Sequence, residues 1–141
     1  MRYAITPAIN DCELTHLDRQ PIDVAKAQGQ HKCYERVLSD LGCHVVSLPA
    51  APALPDSVFV EDGAIVLDEV AVITRPGAAS RRLETASLAA ALAPYRQLIH
   101  IVEPGTVDGG DVLRLDRQIF VGLSTRSNAA AVEQIQTALT P

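Results

Sequence analysis

The sequence predicts an α/β fold built from a repeated supersecondary unit, and three observations carry that reading. Short apolar runs of strand length alternate with amphipathic runs of helix length along all 141 residues. Two acidic turns, Val60-Glu-Asp-Gly63 and Val107-Asp-Gly-Gly110, recur at a period of roughly 47 residues, the scale of one supersecondary unit. Each is followed by a strand pair, an arginine-containing loop and a helix.

Taken in order, Arg2–Thr6 reads as a short strand closed by Pro7. Beyond a polar loop, a helix is expected from about Asp23 to Leu41, with Val24, Ala27, Tyr34, Val37, Leu38 and Leu41 at helical spacing and Gly42 as its stop. His44–Leu48 is the next strand, and Pro49, Pro52 and Pro55 mark an irregular approach to the acidic stretch Pro55–Gly63, where a further strand should begin. Ala64–Leu67 and Val70–Ile73 flank Asp68-Glu69, a hairpin without the usual glycine. An arginine loop (Arg75, Arg81, Arg82), a helix from about Glu84 to Ala93 and a strand Gln97–Val102 follow. Val112–Leu115 and Gln118–Val121 then flank Asp116-Arg117 as a second hairpin, before the loop Ser124–Asn128 and a helix Ala129–Leu139. The first strand, loop and helix read as the tail of an earlier unit, so the chain holds roughly two and a half units.

Composition narrows the class. A 15.1 kDa chain fits one domain, residues 1–141, and 48% hydrophobic with 21% charged residues is globular rather than disordered. A net charge of −5, 4% aromatic residues and no Trp disfavour nucleic acid and anionic membranes as partners. No apolar run is long enough to span a bilayer and no secretory leader opens the chain, so a cytoplasmic location is expected. Cys12, Cys33 and Cys43 are odd in number without C-x-x-C spacing, which argues against a disulfide framework or a zinc site. Cys33 and Cys43 are expected as small buried side chains and Cys12 as a loop residue. His16 has no second ligand at suitable spacing, and neither a metal nor a cofactor is expected.

The stretch Pro55–Gly63 carries three acids, Asp56, Glu61 and Asp62, with Phe59 among them. Carboxylates that close repel one another unless a cation or a donor-rich ligand lies between them. The arginine loops offer the complementary charge, so acids and arginines together describe a site for a zwitterion such as an amino acid with a basic side chain. Plainer readings stand beside this one. Asp56 can cap a turn, Gly109-Gly110 can be a tight turn only, Arg82 can be a solvated neighbour of Arg81, Arg126 can support the helix start at Asn128, and His100 is a strand residue.

Four segments taken in order, Pro55–Asp62, Ile73-Thr-Arg-Pro-Gly77 with Ser80-Arg-Arg82, Pro104-Gly-Thr-Val-Asp-Gly-Gly-Asp111, and Ser124-Thr-Arg-Ser-Asn128, resemble dimethylarginine dimethylaminohydrolase, of the pentein (amidinotransferase-like) superfamily. The resemblance covers nearly the whole chain. It implies a partial pentein α/β propeller, about two and a half of the family's five ββαβ-type repeats and thus its N-terminal half. It also implies hydrolysis of methylated arginine to citrulline and a methylamine through a covalent cysteine adduct, without a cofactor. Asp56 would then meet the substrate α-amino group, Phe59 its aliphatic stem, and Asp62 its guanidinium as a paired acceptor. Glu61 joins the substrate-binding set, although on a strand its side chain would point away from Asp62. Arg81 and Arg126 would clamp the α-carboxylate, Asp108 would be the orienting catalytic carboxylate, and Leu14 would lie in a flexible lid with a backbone carbonyl near the substrate.

The same resemblance places the nucleophilic cysteine and the acid–base histidine in the other half of the family's chain. His16, His31, His44 and His100 occupy none of the matching positions, nor do Cys12, Cys33 and Cys43. The expectation is a chain that recognises a guanidino amino acid and, alone, does not turn it over. The alternative is a catalytically silent binding module for arginine-like ligands. A structural domain with incidental acidic turns is a third reading, which the four ordered segments oppose. A half propeller would also leave an apolar face open, including the Ala129, Val132 and Ile135 side of the last helix, and so favours a homo-oligomer. Asp62 and Asp108 are expected to face one ligand, with Arg81 and Arg126 farther along the same cleft.

Overall fold

The computed structural model describes residues 2–7 and 23–140, and the chain divides into two compact units, Met1–Val60 and Glu61–Pro141. In the first unit, β1 (Arg2–Pro7) runs parallel to β2 (Cys43–Leu48), with Arg2 opposite Cys43 and Pro7 opposite Leu48. The helix between them, α1 (Val24–Asp40), starts where the Asp23 carboxylate accepts the Lys26 N–H at 3.0 Å. It stops at Gly42, whose φ of 83° is the left-handed conformation that glycine adopts without a Cβ clash.

The inner face of α1 is not the apolar stripe expected from the sequence. Val24, Ala27, His31, Glu35 and Leu38 are the half-buried positions, while Tyr34, Val37 and Leu41 are exposed. A polar network decides this: the Glu35 carboxylate accepts the Ser47 hydroxyl of β2 at 2.8 Å and lies 3.5 Å from His31 Nε2. Cys33, next to Tyr34, is exposed rather than buried, and Cys43 at the start of β2 is half-buried. The residues expected to begin a strand instead form a 3₁₀ turn, Pro55–Val58, which buries Asp56, and then the single helical turn α2, Val60–Gly63. Proline at the first position of the 3₁₀ turn, and acids in both first turns, suit helical rather than extended backbone.

In the second unit, β3 (Ala64–Val66) and β4 (Val70–Ile73) pair antiparallel with Ala64 opposite Ile73. The Leu67 N–H donates to the Val70 carbonyl at 2.9 Å, and Arg96 Nε donates to the Leu67 carbonyl at 2.9 Å, so both backbone polar groups at the entry to the glycine-free turn are engaged. A 3₁₀ segment, Ala79–Glu84, leads into α3 (Thr85–Leu92), and β5 (Gln97–His100) returns parallel to β4. The sheet order is β3-β4-β5. The next hairpin, β6 (Val112–Leu115) with β7 (Gln118–Val121), turns through Asp116 at φ 53°. Asn128 caps α4 (Ala129–Leu139) by accepting the Ala131 N–H at 3.0 Å. The order hairpin, arginine loop, helix therefore occurs twice in an α/β arrangement.

Ile65, Val72, Ile101, Val107, Ala131 and Ile135 form the core of this unit. Ala131 and Ile135 lie four apart on α4 and face inward together, so Ile135 is 5% exposed and does not belong to an open face. Among the described residues of this unit, three exposed apolar side chains share one face of the β6–β7 hairpin, where Leu113 stands opposite Phe120 and Leu115 is next on the same strand face, and others lie apart at Val66, Leu83, Val102 and Leu123.

Candidate functional site

Two acidic turns and two arginine loops of the second unit converge. The turn bearing Asp62 is tied to the end of β4: the Thr74 hydroxyl donates to the Asp62 carbonyl at 2.6 Å and the Thr74 N–H to the Gly63 carbonyl at 3.1 Å. Asp62 then divides its carboxylate. Oδ1 accepts the Gly110 N–H at 2.8 Å and Oδ2 pairs with Arg81 Nη1 at 2.7 Å. Gly109 is needed here for close approach, because a Cβ at that position would collide with the Glu61 carbonyl. The Gly109-Gly110 pair is thus more than a tight turn, since it lets the second acidic turn touch the first.

Asp108 is fully buried. Its Oδ1 accepts the Gly77 N–H at 3.1 Å and its own N–H donates to Ser127 Oγ at 3.1 Å. Its Oδ2 is buried without a hydrogen bond, 3.6 Å from Arg126 Nη1 and 4.0 Å from Arg81 Nη1. Burial pushes the Asp108 carboxyl above its ordinary range; the Gly77 N–H and the two arginines act against this, whereas the Asp62 charge adds to it. An ionised oxygen with no donor is costly, and a donor supplied from outside would remove that cost.

Arg81 lies on the 3₁₀ segment and is held from two sides, by Asp62 and by Glu84, whose Oε2 accepts from Nε at 3.0 Å and lies 2.9 Å from Nη2. Burial alone would lower its pKa, but the hydrogen bonds and charges of Asp62 and Glu84 outweigh burial and raise it. Arg126 is the outward-reaching arginine, its side chain 41% exposed against 11% for Arg81, and its Nη2 pairs with Asp111 Oδ1 at 3.1 Å. Arg82 is not merely solvated, because its Nε donates to the Pro76 carbonyl at 3.2 Å. Asp62, Glu84, Asp108 and Asp111 outnumber Arg81 and Arg126, so the cluster is acidic overall and suits a cation.

Asp62 and Asp108 thus share one site, through Arg81. The two arginines do not lie farther along a cleft but directly on the acids, which neutralises part of the charge when no ligand is present. Glu61 is exposed and takes no part in these pairs. Asp56 is buried and Phe59 half-buried in the first unit, and Leu14 lies outside the described residues. Reading the sequence alone missed Glu84, Asp111, Ser124 and Ser127. The spacing of Glu84 three residues after Arg81 was the one local signal for the first, and Asp111 and both serines lay within turns already singled out. Among the described residues no group of His, Cys, Asp and Glu could hold a metal ion, and no helix is long and apolar enough to cross a membrane.

Comparison with known proteins shows the family. The model of the eukaryotic N,N dimethylarginine dimethylhydrolase family matches residues 5–140. The N(G),N(G)-dimethylarginine dimethylaminohydrolase of Streptomyces coelicolor is 42% identical over 137 residues, which is 96% of this chain and 53% of the relative. That of Pseudomonas aeruginosa is 36% identical over 94% of this chain and 53% of its own length. A solved structure of a Pseudomonas aeruginosa mutant enzyme complexed with citrulline matches with a TM-score of 0.87 at 33% identity, over 96% of this chain and 55% of that one. A dimethylarginine dimethylaminohydrolase adduct with S-methyl-L-thiocitrulline also matches at 0.87. The chain spans about half the length of these relatives.

Proposed function

The chain belongs to the N,N dimethylarginine dimethylhydrolase family, and from that premise we propose that it is the recognition half of a guanidino-group hydrolase, residues 1–141 forming the N-terminal part of a pentein propeller. The observation that carries this reading is the buried Asp108 Oδ2, which has no hydrogen bond and lies beside Asp62 between two arginines. A guanidinium N–H would supply the missing donor. In this reading Asp62 and Asp108 hold the guanidinium, and Arg126, with Arg81 behind it, takes the α-carboxylate. By the family resemblance, Asp56 is assigned to the substrate amino group, Phe59 to its stem, Leu14 to the lid, and Glu61 to the substrate-binding set. The attacking thiolate and the proton-transferring imidazole belong to a segment outside this chain. The ligand is arginine or a methylated arginine in the cytoplasm, with no cofactor.

The test is a titration followed by NMR. Binding of L-arginine or N(G),N(G)-dimethylarginine with Kd on the order of millimolar is expected, because half a pocket desolvates its ion pairs poorly. Asp62→Ala should weaken it by about tenfold or more. Absence of binding up to tens of millimolar, or binding indifferent to Asp62→Ala, would sink the proposal. A catalytically silent module would use the same contacts, and the turnover experiment discussed below separates the two. The proposal includes self-association through the exposed face of the β6–β7 hairpin, supported by the exposure of Leu113, Leu115 and Phe120. Light scattering at high micromolar concentration should show a dimer or larger species, and a clean monomer would contradict it.

A further inference from the structure

Asp111, unlike Asp108, has every polar group engaged by the protein itself. Its Oδ1 pairs with Arg126 Nη2 at 3.1 Å, and its Oδ2 accepts the hydroxyls of Ser124 at 2.8 Å and Ser127 at 2.7 Å. Its N–H donates to the Asp108 carbonyl at 3.0 Å and its carbonyl accepts from Gly122 at 2.8 Å. The hydroxyl directions are determined as well. Ser127 Oγ accepts the Asp108 N–H, and Ser124 Oγ accepts the N–H groups of Arg126 at 3.0 Å and Ser127 at 3.2 Å. The proton of each hydroxyl therefore points to Asp111. Asp108, by contrast, keeps one oxygen without a hydrogen bond.

We propose that Asp111, clamped by Ser124 and Ser127, is a positioning residue that orients the Arg126 guanidinium toward the carboxylate of the bound amino acid and does not itself touch the ligand. This inference rests on the reading of Arg126 as the carboxylate-binding arginine. Arg126 needs such a device because its side chain is 41% exposed, and an exposed long side chain loses its rotamer freedom on binding unless a partner already holds it. Asp111 suits the task because its charge is constant. Burial raises its carboxyl pKa, but the hydrogen bonds from Ser127 and Ser124 and the Arg126 charge outweigh burial, so it lies below the ordinary carboxylate range. Nη1 of Arg126, 3.6 Å from Asp108, is left without a hydrogen bond of this quality and is the donor free to turn to a ligand.

The experiment compares L-arginine with agmatine, its analogue lacking the carboxylate, by NMR titration of the wild type and Asp111→Asn, with a thermal melt of each. About a tenfold loss of L-arginine affinity is expected on Asp111→Asn, with agmatine affinity unchanged. In an Arg126→Gln background Asp111→Asn should cause no further loss, since the two act as one unit. Equal losses for both ligands would overturn the inference in favour of a merely structural role, as would no loss, or an additional loss in the Arg126→Gln background. Failure of the wild type to bind either ligand would instead count against the proposed function. The positioning role is then judged on the ligand-free protein: a slowly exchanging Arg126 Nη2–H signal should be lost in Asp111→Asn, and its persistence would overturn the inference.

Discussion

Incubated with arginine or its methylated forms, the 141-residue chain is expected to form citrulline at least about 10⁴-fold more slowly than a full-length relative under the same conditions. The reason is the division of labour proposed above. Arg81, Arg126, Asp62 and Asp108 supply charge and orientation, whereas carbon–nitrogen cleavage of a guanidinium needs a thiolate to attack its carbon and an acid to protonate the departing amine. Electrostatic contacts alone leave only a residual rate when the nucleophile is missing. A colorimetric citrulline assay, run with Cys12→Ala, Cys33→Ala and Cys43→Ala beside the parent chain, checks this. Robust turnover lost with any one of these cysteines would show that a thiol of this chain is the nucleophile and would overturn the division. Turnover restored on adding a separately expressed segment that carries His and Cys would identify the chain as half of an enzyme rather than a silent module.

Replacing Arg81 by leucine is expected to cost about 3–5 kcal/mol of stability, because it removes the shared cation of buried acids that have been taken out of water. Asp62 and Glu84 are 11% and 7% exposed and both lie on this guanidinium, and Asp108 Oδ2 is 4.0 Å from it. Against a typical total of about 5–15 kcal/mol, that loss should lower the urea midpoint severely. The pH dependence gives the cause away. Asp108 already has a raised pKa, so the folded form binds its proton more tightly than the unfolded chain does. Its ionisation therefore costs stability as pH rises from the ordinary carboxylate value through the raised one. Arg81 is one of the charges that oppose this rise, so without it Asp108 should ionise still less readily in the folded form, and the deficit of the variant should shrink as pH falls toward the ordinary carboxylate range. Unfolding curves for both proteins between those conditions test this. A deficit that stays constant with pH would mean that the lost packing of the arginine stem, not its charge, is responsible.

Much of the local structure was legible because it depends on local chemistry. Asp23, Gly42 and Asn128 set the ends of α1 and the start of α4 through caps that need only neighbouring residues. The hairpins followed from short apolar runs around polar pairs, and the hairpin, arginine loop and helix order reappears in the second unit at both acidic turns. The family was legible for a similar reason, since four ordered segments carry it without any knowledge of contacts.

Other features depended on groups distant in sequence. The inner face of α1 holds His31 and Glu35 rather than Tyr34 and Val37 because Ser47, from the following strand, offers Glu35 a hydrogen bond. No periodicity of apolar residues encodes that. The stretch at Asp56 and Asp62 reads as the start of a strand, yet it forms a 3₁₀ turn and then a single helical turn. Residue identity alone determined that this protein carries paired acids and paired arginines in repeated turns of an α/β chain, and with them its family. Only the tertiary structure decided that Arg81 lies on Asp62 and Glu84, that Arg126 lies on Asp111, and that Asp108 keeps an oxygen without a donor. The physical reason is that charge pairing acts over a few ångströms in space, between Arg81 and Asp62 19 residues apart and between Arg126 and Asp111 15 apart, and of these pairs only Arg81–Glu84, three apart, leaves a trace in local spacing.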